Sequence, residues 1–470
     1  MAHTRLAIVD VEHGHQPMFG DQCGSALVCN GEIYNHRALR GDLEARHHFA
    51  TRSDSEVILH LFEEEGATCL HRLDGMFAFF AADETRFVAA RDALGIKPLY
   101  YARDRDGFWF ASELKSLLKI SGDVAELPPG AFLDEAGTVG RWFSPAWADA
   151  ASASPAVSSD DLVPMLERAV VKRLMSDVPV GVFLSGGLDS SVVAALARRH
   201  VGRLDSFAVG FEGASDLASA RTAARALGTT HHECRYDTAD LESGLERVIF
   251  HLESYDEALI RSALPNYFLC RLASQHVKVA LTGEGADEVF AGYGYFAEIR
   301  TAQALQAECV RLLFGLHNMN LQRVDRMTMA HGIEGRVPFL DLEFLDWAMR
   351  LNPELKLHRP GAPEKTLLRL ACEGLLPHEI AWRPKQEFSR GAGVDAPLGD
   401  YAKRMVSDAE IARAAQRFPD DPPRTKEAVL YRTIFESFFP GAPARRTVGR
   451  WNGRTGALAR SRVAVGVVHG

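Results

Sequence analysis

Ser185-Gly186-Gly187-Leu188-Asp189-Ser190-Ser191 stands between an apolar run, Pro179-Val180-Gly181-Val182-Phe183-Leu184, and a helix-forming one, Val192-Val193-Ala194-Ala195-Leu196-Ala197. Strand, glycine-rich turn and helix N-terminus in that order point several backbone N–H groups at one spot, an arrangement that binds anions. The turn lacks the lysine and spacing of a G-x-x-x-x-G-K-[ST] phosphate loop, and that pattern occurs nowhere in the chain. A ligand-free polar turn accounts for a bare Ser-Gly-Gly, whereas seven residues in this context favour a phosphate-bearing ligand.

Outward from this turn, from about residue 160, short apolar runs alternate with helix-length amphipathic segments. Ser206-Phe207-Ala208-Val209-Gly210-Phe211 and Val277-Lys278-Val279-Ala280-Leu281 are strand candidates. The alternation predicts an α/β domain with a parallel sheet, and after about residue 320 helices dominate. Ligands of open α/β sheets sit beyond the carboxyl ends of the strands. A second such end, Leu281-Thr282-Gly283-Glu284-Gly285-Ala286-Asp287-Glu288, therefore faces the same site. Phosphate groups travel with hard cations, which take carboxylate oxygens, and Asp189 and the acids of Thr282–Glu288 offer them. Read alone, the second stretch is an acidic solvated turn; beside the first it reads as part of the site. Lys365 and Lys385 are candidate phosphate-facing cations, although a lone lysine is usually a surface charge. Arg336 reads equally well as a structural ion pair.

Upstream, residues 1–145 read as strand-rich with short helices. Leu6-Ala7-Ile8-Val9 and Met76-Phe77-Ala78-Phe79-Phe80 are expected as buried strands, Phe87-Val88-Ala89-Ala90 and Phe108-Trp109-Phe110 as shorter ones, and Ser55–Glu65 as an amphipathic helix. An Ala/Ser/Pro/Asp-rich stretch, 146–160, reads as a linker. The end, 441–470, is rich in arginine and glycine without an acidic residue and reads as a loosely ordered basic tail; a partner-binding arm is the alternative. At 470 residues two domains are expected. A net charge of −9 argues against nucleic acid as main partner. Seven scattered cysteines without C-x-x-C spacing suggest reduced thiols, and no segment is long and apolar enough for a membrane span or leader, so a cytoplasmic protein is expected.

The turn at Ser185–Ser191 resembles the SGGxDS pyrophosphate loop of ATP pyrophosphatases. More widely, residues 161–440 are similar to asparagine synthetases of the glutamine-hydrolysing type, through Phe183–Ser191, Ser206–Phe211, Thr282–Tyr293, Val324–Asp341, Lys385–Phe388 and Lys426–Arg432 with Phe435-Glu436. The resemblance implies an ATP pyrophosphatase fold. It also implies a two-step reaction: a carboxylate attacks the α-phosphorus of ATP, then ammonia displaces AMP from the acyl-adenylate. On this mapping Ser185, Gly186, Gly187 and Ser190 cradle pyrophosphate, and Leu184, Val209, Thr282 and Gly283 line the nucleotide site. Asp189 and Asp287 hold Mg2+ with the pyrophosphate. Glu284 is the essential acid near the adenylate, Lys385 stabilises charge at the α-phosphate, and Arg261 binds the α-carboxylate of aspartate. Family members selective for aspartate carry threonines where this chain has Ala258 and Leu259, which loosens the assignment of the acceptor.

Residues 1–145 resemble the class II glutamine amidotransferase domain of the same family, so that an α+β glutaminase-like β-sandwich remnant precedes the α/β domain and its helical C-terminal part. Arg5 matches the arginine that binds the glutamine carboxylate. Asn30, Gly31 and Glu32, in Asn30-Gly31-Glu32-Ile33-Tyr34-Asn35, match the oxyanion and substrate segment. Asp54 matches the acid that grips the substrate amine, although Arg52 stands where glycine is usual. Arg91-Asp92 and Lys97-Pro98-Leu99-Tyr100 form a further family stretch, structural or tunnel-lining. These glutaminases use an N-terminal cysteine as nucleophile, with its own amine as base. The sequence opens Met1-Ala2-His3, and internal Cys23 reads as a buried thiol. The expectation is a first domain lacking its opening strand and nucleophile, with open sheet edges and no glutamine hydrolysis, through either a start codon assigned too late or a natively ammonia-dependent enzyme. Implied partners are small molecules (aspartate, ATP, glutamine or ammonia) and a second copy in a homodimer. A β-lactam synthetase-like amide-forming enzyme and a non-catalytic nucleotide-binding protein are the rival readings. Retention of Asp189, Glu284, Asp287 and Lys385 counts against the latter.

Overall fold

A computed structural model describes residues 1–20, 24–120, 122–148, 157–359 and 361–450. The first half contributes β1 (Met18–Phe19), β2 (Ala26–Ile33), β3 (Gly75–Ala82), β4 (Phe87–Arg91), β5 (Tyr100–Asp104), β6 (Gly107–Ala111), β7 (Val124–Glu126), β8 (Ala131–Asp134) and β9 (Val139–Arg141). They form two antiparallel sheets, ordered β1-β2-β3-β4-β8-β9 and β6-β5-β7. The apolar run in β3 reflects cover on both faces. Phe77 and Phe79 join the core with Val57, Ile58, Leu61 and Phe62 of the helix Glu56–Glu65. Ala78 and Phe80 point the other way, where Phe80 meets Phe87 and Phe110. Gly31 in β2 has φ +143°, and a Cβ there would lie 1.9 Å from the Met76 carbonyl oxygen, so the close β2–β3 approach requires glycine.

Leu6–Val9 differs from expectation: it is not a strand. Its carbonyls are taken by other partners, Ile8 accepting from the Asp177 N–H at 3.0 Å and Val9 and Asp10 from the Arg5 guanidinium at 2.9 and 2.6 Å. A backbone satisfied in this way has no need of a ladder.

The second half holds β10 (Val180–Phe183), β11 (Asp205–Phe211), β12 (Thr230–Tyr236), β13 (Val279–Leu281) and β14 (Glu334–Arg336) in one all-parallel sheet, β12-β11-β10-β13-β14. Helices Leu188–His200, Ser215–Leu227 and Glu257–Ala273 pack on it, which is why β10 and β13 are apolar throughout and β11 is apolar from Phe207 on. The register pairs Val182 with Leu281 and Phe183 with Phe207, so β10 and β13 end together while β11 runs on to Phe211. Beyond residue 320 the described residues form helices and connecting turns, with β14 the one strand among them.

The halves share one apolar core, in which Leu27 and Phe77 belong with Leu166 and Val182. Of the expected linker, Trp147 is buried and stacks on Phe314 at 5.9 Å, Ser158 caps the short helix Ser159–Asp161, and residues 149–156 lie outside the described residues. The start of the basic tail is ordered, contrary to expectation. Ala442–Arg446 is helical, Arg445 pairs with Asp420 at 2.7 Å, and Arg446 reaches Asp123 of the first half at 3.2 Å; residues 451–470 lie outside the described residues. Among the described residues no helix is long and apolar enough to cross a membrane. Six cysteines are free thiols; Cys23 lies outside the described residues.

Candidate active site

The turn after β10 is folded on itself. Ser185 Oγ lies 3.1 Å from Ser190 Oγ and accepts from the Gly187 N–H at 3.3 Å. Gly186, at φ +72°, lets the chain pass against the next helix, since a Cβ would fall 2.3 Å from the Ser219 carbonyl carbon. This close pass places Gly186 behind the turn and not on the cavity wall, unlike the other residues expected at the nucleotide. From the neighbouring strand end, Gly283 abuts the same turn: a Cβ there would lie 2.8 Å from Asp189 Cβ and 2.9 Å from Ser190 N. The ends of β10 and β13 are thus in contact, and the two acidic stretches share one site.

Lys365 is the charge at its centre. Its Nζ donates to both Asp189 oxygens at 2.7 and 2.5 Å and to Asp287 Oδ1 at 2.7 Å. Lys385 pairs with the same Asp287 oxygen, donates to the Gly292 carbonyl at 3.0 Å, and lies 4.7 Å above the Tyr293 ring. Asp189 and Asp287 keep 23% and 21% of their side-chain surface exposed, so they remain reachable from the cavity. Withdrawal from water pushes the Asp189 carboxyl up against the pull of Lys365. The Asp287 carboxyl, also desolvated, is nevertheless held well below the usual range by Lys365 and Lys385. Glu284, on the same strand end, pairs with Arg323, and desolvation raises its carboxyl despite that partner. Buried Glu288 is pushed up to about 7 by desolvation and by the Asp287 charge, and it accepts the Tyr293 hydroxyl.

These groups open onto a cavity of about 350 Å³ lined by Leu184, Ser185, Gly187, Asp189, Ser190, Val209, Arg261, Thr282, Gly283, Glu284, Asp287 and Lys385. Its volume falls in the range of small-molecule sites. Arg261, expected at the α-carboxylate of aspartate, lines the cavity and is paired within the protein. Its Nε and Nη2 grip Glu427 at 2.8 and 2.5 Å, and Tyr431 donates to the same carboxylate at 2.7 Å. Ala258, one helical turn earlier, lines the cavity with Ser262 and Asn266.

Several residues of the site carry no signal in their own segments. Nothing in Glu364-Lys365-Thr366 separates the candidate cation Lys365 from a surface lysine, yet its backbone adopts φ +55° and its side chain is 2% exposed. Arg323, Glu427 and the Asp216–Arg383 pair at 2.8 Å come from segments distant in sequence from either strand end, so only folding reveals them.

In the first half, the residues expected at glutamine are brought near one another but are engaged elsewhere. Arg5 spends its guanidinium on the carbonyls of Val9, Asp10 and Val11. The Arg52 N–H donates to Asp10 Oδ2 at 2.7 Å, joining that loop to Asp54. Asp54 accepts the Ile33 N–H at 2.6 Å, and burial pushes its carboxyl up to about 6. Asn30 lies 3.5 Å from Ser112 Oγ, and Gly31 serves the strand contact described above. Glu32 is buried 3.5 Å from Arg336, which donates to Glu334 at 2.8 Å; Lys97 lies 3.4 Å from Glu334 and 3.3 Å from Asp325. Arg336 is therefore the ion-pair residue of its alternative readings, and Lys97 is structural in the same sense.

Comparison with known proteins matches the same division of the chain. The Asparagine synthase family model covers residues 162–304 and 296–458, and the Glutamine amidotransferase domain model covers residues 1–133. The chain is 44% identical over 474 residues to asparagine synthetase [glutamine-hydrolyzing] 2 of Arabidopsis thaliana, covering 95% of this chain and 81% of that protein. It is 42% identical to asparagine synthetase B [glutamine-hydrolyzing] of Escherichia coli K12, covering 94% and 83%. A parallel sheet with a lysine–carboxylate site at its strand ends, coupled to an amidotransferase domain, defines a ligase that handles amide nitrogen. The chain belongs to the glutamine-hydrolysing asparagine synthetase family.

Proposed function

We propose that the cavity forms asparagine from aspartate, ATP and ammonia, with glutamine as the family's nitrogen source, releasing AMP and pyrophosphate. The observation that carries this reading is the meeting of Asp189, Asp287, Lys365 and Lys385 where β10 and β13 end, within reach of Glu284. An oxygen of the aspartate β-carboxylate attacks the α-phosphorus, and the bond to the bridging oxygen of pyrophosphate breaks. The N–H groups and hydroxyls of Ser185–Ser190 receive the leaving oxygens, and Lys385 offsets charge on the α-phosphoryl group. Ammonia then donates its lone pair to the acyl carbon and AMP departs with the C–O electrons. Glu284, its carboxyl raised by desolvation, takes the proton that the new amide nitrogen sheds. Asp189 and Asp287 fit Mg2+: both are oxygen donors, and the geometry already gathers them about one cation, the Lys365 ammonium. When bound, that ion would neutralise the departing pyrophosphate.

Aspartate would be held by the arginine nitrogen not engaged with Glu427. Ala258 offers the side chain of the acceptor no hydroxyl, and this favours a less polar carboxylic acid as the second reading. The test is AMP and amide formation by the purified chain with ammonium and, separately, with glutamine, across aspartate and a panel of apolar carboxylic acids. Asparagine with stoichiometric AMP is expected with ammonium, and Lys385→Ala should slow it about 100-fold or more. AMP formation with another acid but not with aspartate would replace the acceptor. No AMP with any acid would overturn the reading.

A further inference from the structure

The first half contains a cluster of nitrogen and oxygen donors that the reaction above does not use. His60 and Glu63 lie one turn apart on the helix Glu56–Glu65, and His47 approaches them from the segment after the helix His36–Leu43. His47 Nδ1 lies 3.2 Å and His60 Nδ1 3.0 Å from the same atom, Glu63 Oε2. The imidazole rings face each other with centroids 4.6 Å apart. The three side chains are only 4%, 3% and 5% exposed.

The far side of each ring is also supplied with an acid. His47 Nε2 lies 2.9 Å from Glu64 Oε1, and His60 Nε2, buried and without a hydrogen-bond partner, looks toward Glu56 Oε1 at 3.8 Å. Glu63's second oxygen accepts the Ser25 hydroxyl. Each imidazole thus turns one nitrogen to a shared point and the other to a carboxylate, the arrangement by which metal-binding histidines are oriented and made more basic. Zn2+ bonds of about 2.0–2.2 Å in a tetrahedron place neighbouring donors about 3.3 Å apart, close to the two imidazole–carboxylate separations, and all three donors lie within 4.8 Å of one another. Charge favours a dication too: Glu56, Glu63 and Glu64 converge, and against these three acids stand Arg46 on Glu64 at 2.7 Å, Arg40 at 3.9 Å from Glu56, and the His60 imidazole, which the acids hold protonated.

We propose that His47, His60 and Glu63 form a site for a borderline divalent transition metal of the Zn2+ class, with water as fourth ligand. The metal replaces the proton shared between His60 and Glu63, which leaves for solvent. It ties the segment around His47, and through Ser25 the start of β2, to the helix Glu56–Glu65. The site is separate from the synthetase cavity, and its fate does not depend on the acceptor of that reaction.

The test uses the full chain, stripped with chelator and titrated with Zn2+ alone against a chromophoric competitor in excess Mg2+, which occupies hard oxygen sites. One Zn2+ per chain with Kd below about 10 µM is expected, together with a visible Co2+ band of four-coordinate intensity. His47→Ala and His60→Ala should each weaken binding at least about 100-fold and abolish the band. Glu64→Gln, which touches no metal, should weaken it about 10-fold through His47. Should His60→Ala fail to fold, Glu63→Gln, which keeps the size of the side chain, gives the same readout. Wild-type binding weaker than about 10 µM, or binding and band unchanged in these variants, would overturn the proposal and leave the cluster a proton-sharing ion pair.

Discussion

Lys365 holds two carboxylates that would otherwise repel one another. One ammonium lies within 2.7 Å of Asp189 and of Asp287, and the lysine accepts a left-handed backbone at φ +55° to put it there. Removing the charge as Lys365→Met leaves the carboxylates facing each other with only Lys385 nearby, so the variant must take up a divalent cation or a proton to relieve the repulsion. Added Mg2+ is therefore expected to raise the Tm of Lys365→Met by about 4 °C or more, while wild type shifts far less. Equal Mg2+ responses by scanning calorimetry would show that Lys365 does not carry this charge balance. Sequence reasoning reached Asp189, Asp287 and Lys385 because they lie in stretches with family resemblance, but a single lysine in a helical segment gives no sign of the partner it will meet 176 positions away.

At the scale of elements, the site depends on β10 and β13 ending in contact. Gly283→Ala would drive a methyl to 2.8 Å from Asp189 Cβ and 2.9 Å from Ser190 N, backbone and rigid neighbours that cannot give way cheaply. Gly202→Ala, away from the cavity and with nothing within 4 Å of an added Cβ, is its control. Gly283→Ala is expected to lose most of the thermal shift produced by ATP while retaining its circular dichroism spectrum; Gly202→Ala should keep that shift. Equal shifts in both would mean that the contact does not shape the nucleotide site. The apolar strands β3, β10, β11 and β13 were legible because burial on both faces imposes an unbroken hydrophobic run. β12 was not: as the edge strand it is half-exposed, and Thr-His-His-Glu-Cys-Arg reads as polar. β14 was hidden for another reason, since Glu334 and Arg336 are buried but neutralise each other. At Leu6–Val9 the pattern of a strand is present, but its carbonyls bond to Arg5 and to the Asp177 N–H instead.

For the whole molecule, the two halves meet through charge as well as through apolar packing. Arg336, fully buried, lies between Glu32 of the first half and Glu334 of the second, and Lys97 reaches Glu334 and Asp325 from the first half. Arg336→Met fills the volume but leaves buried Glu32 without this cation and Glu334 with Lys97 alone of the two, so a loss of about 3–5 kcal/mol is expected in urea denaturation. An unchanged midpoint would show that the ion pair contributes nothing net to the joint. By itself the sequence determined the parallel sheet, the phosphate-binding turn, the second acidic strand end and the family, because these rest on local periodicity and on short contiguous motifs. Only the tertiary structure decided that Lys365 joins the two acids, that Arg261 is largely committed to Glu427, that Arg336 is internal, and that His47 meets His60 and Glu63. Those are pairings between distant segments, and electrostatic energy depends on separation in space, which separation along the chain does not reveal.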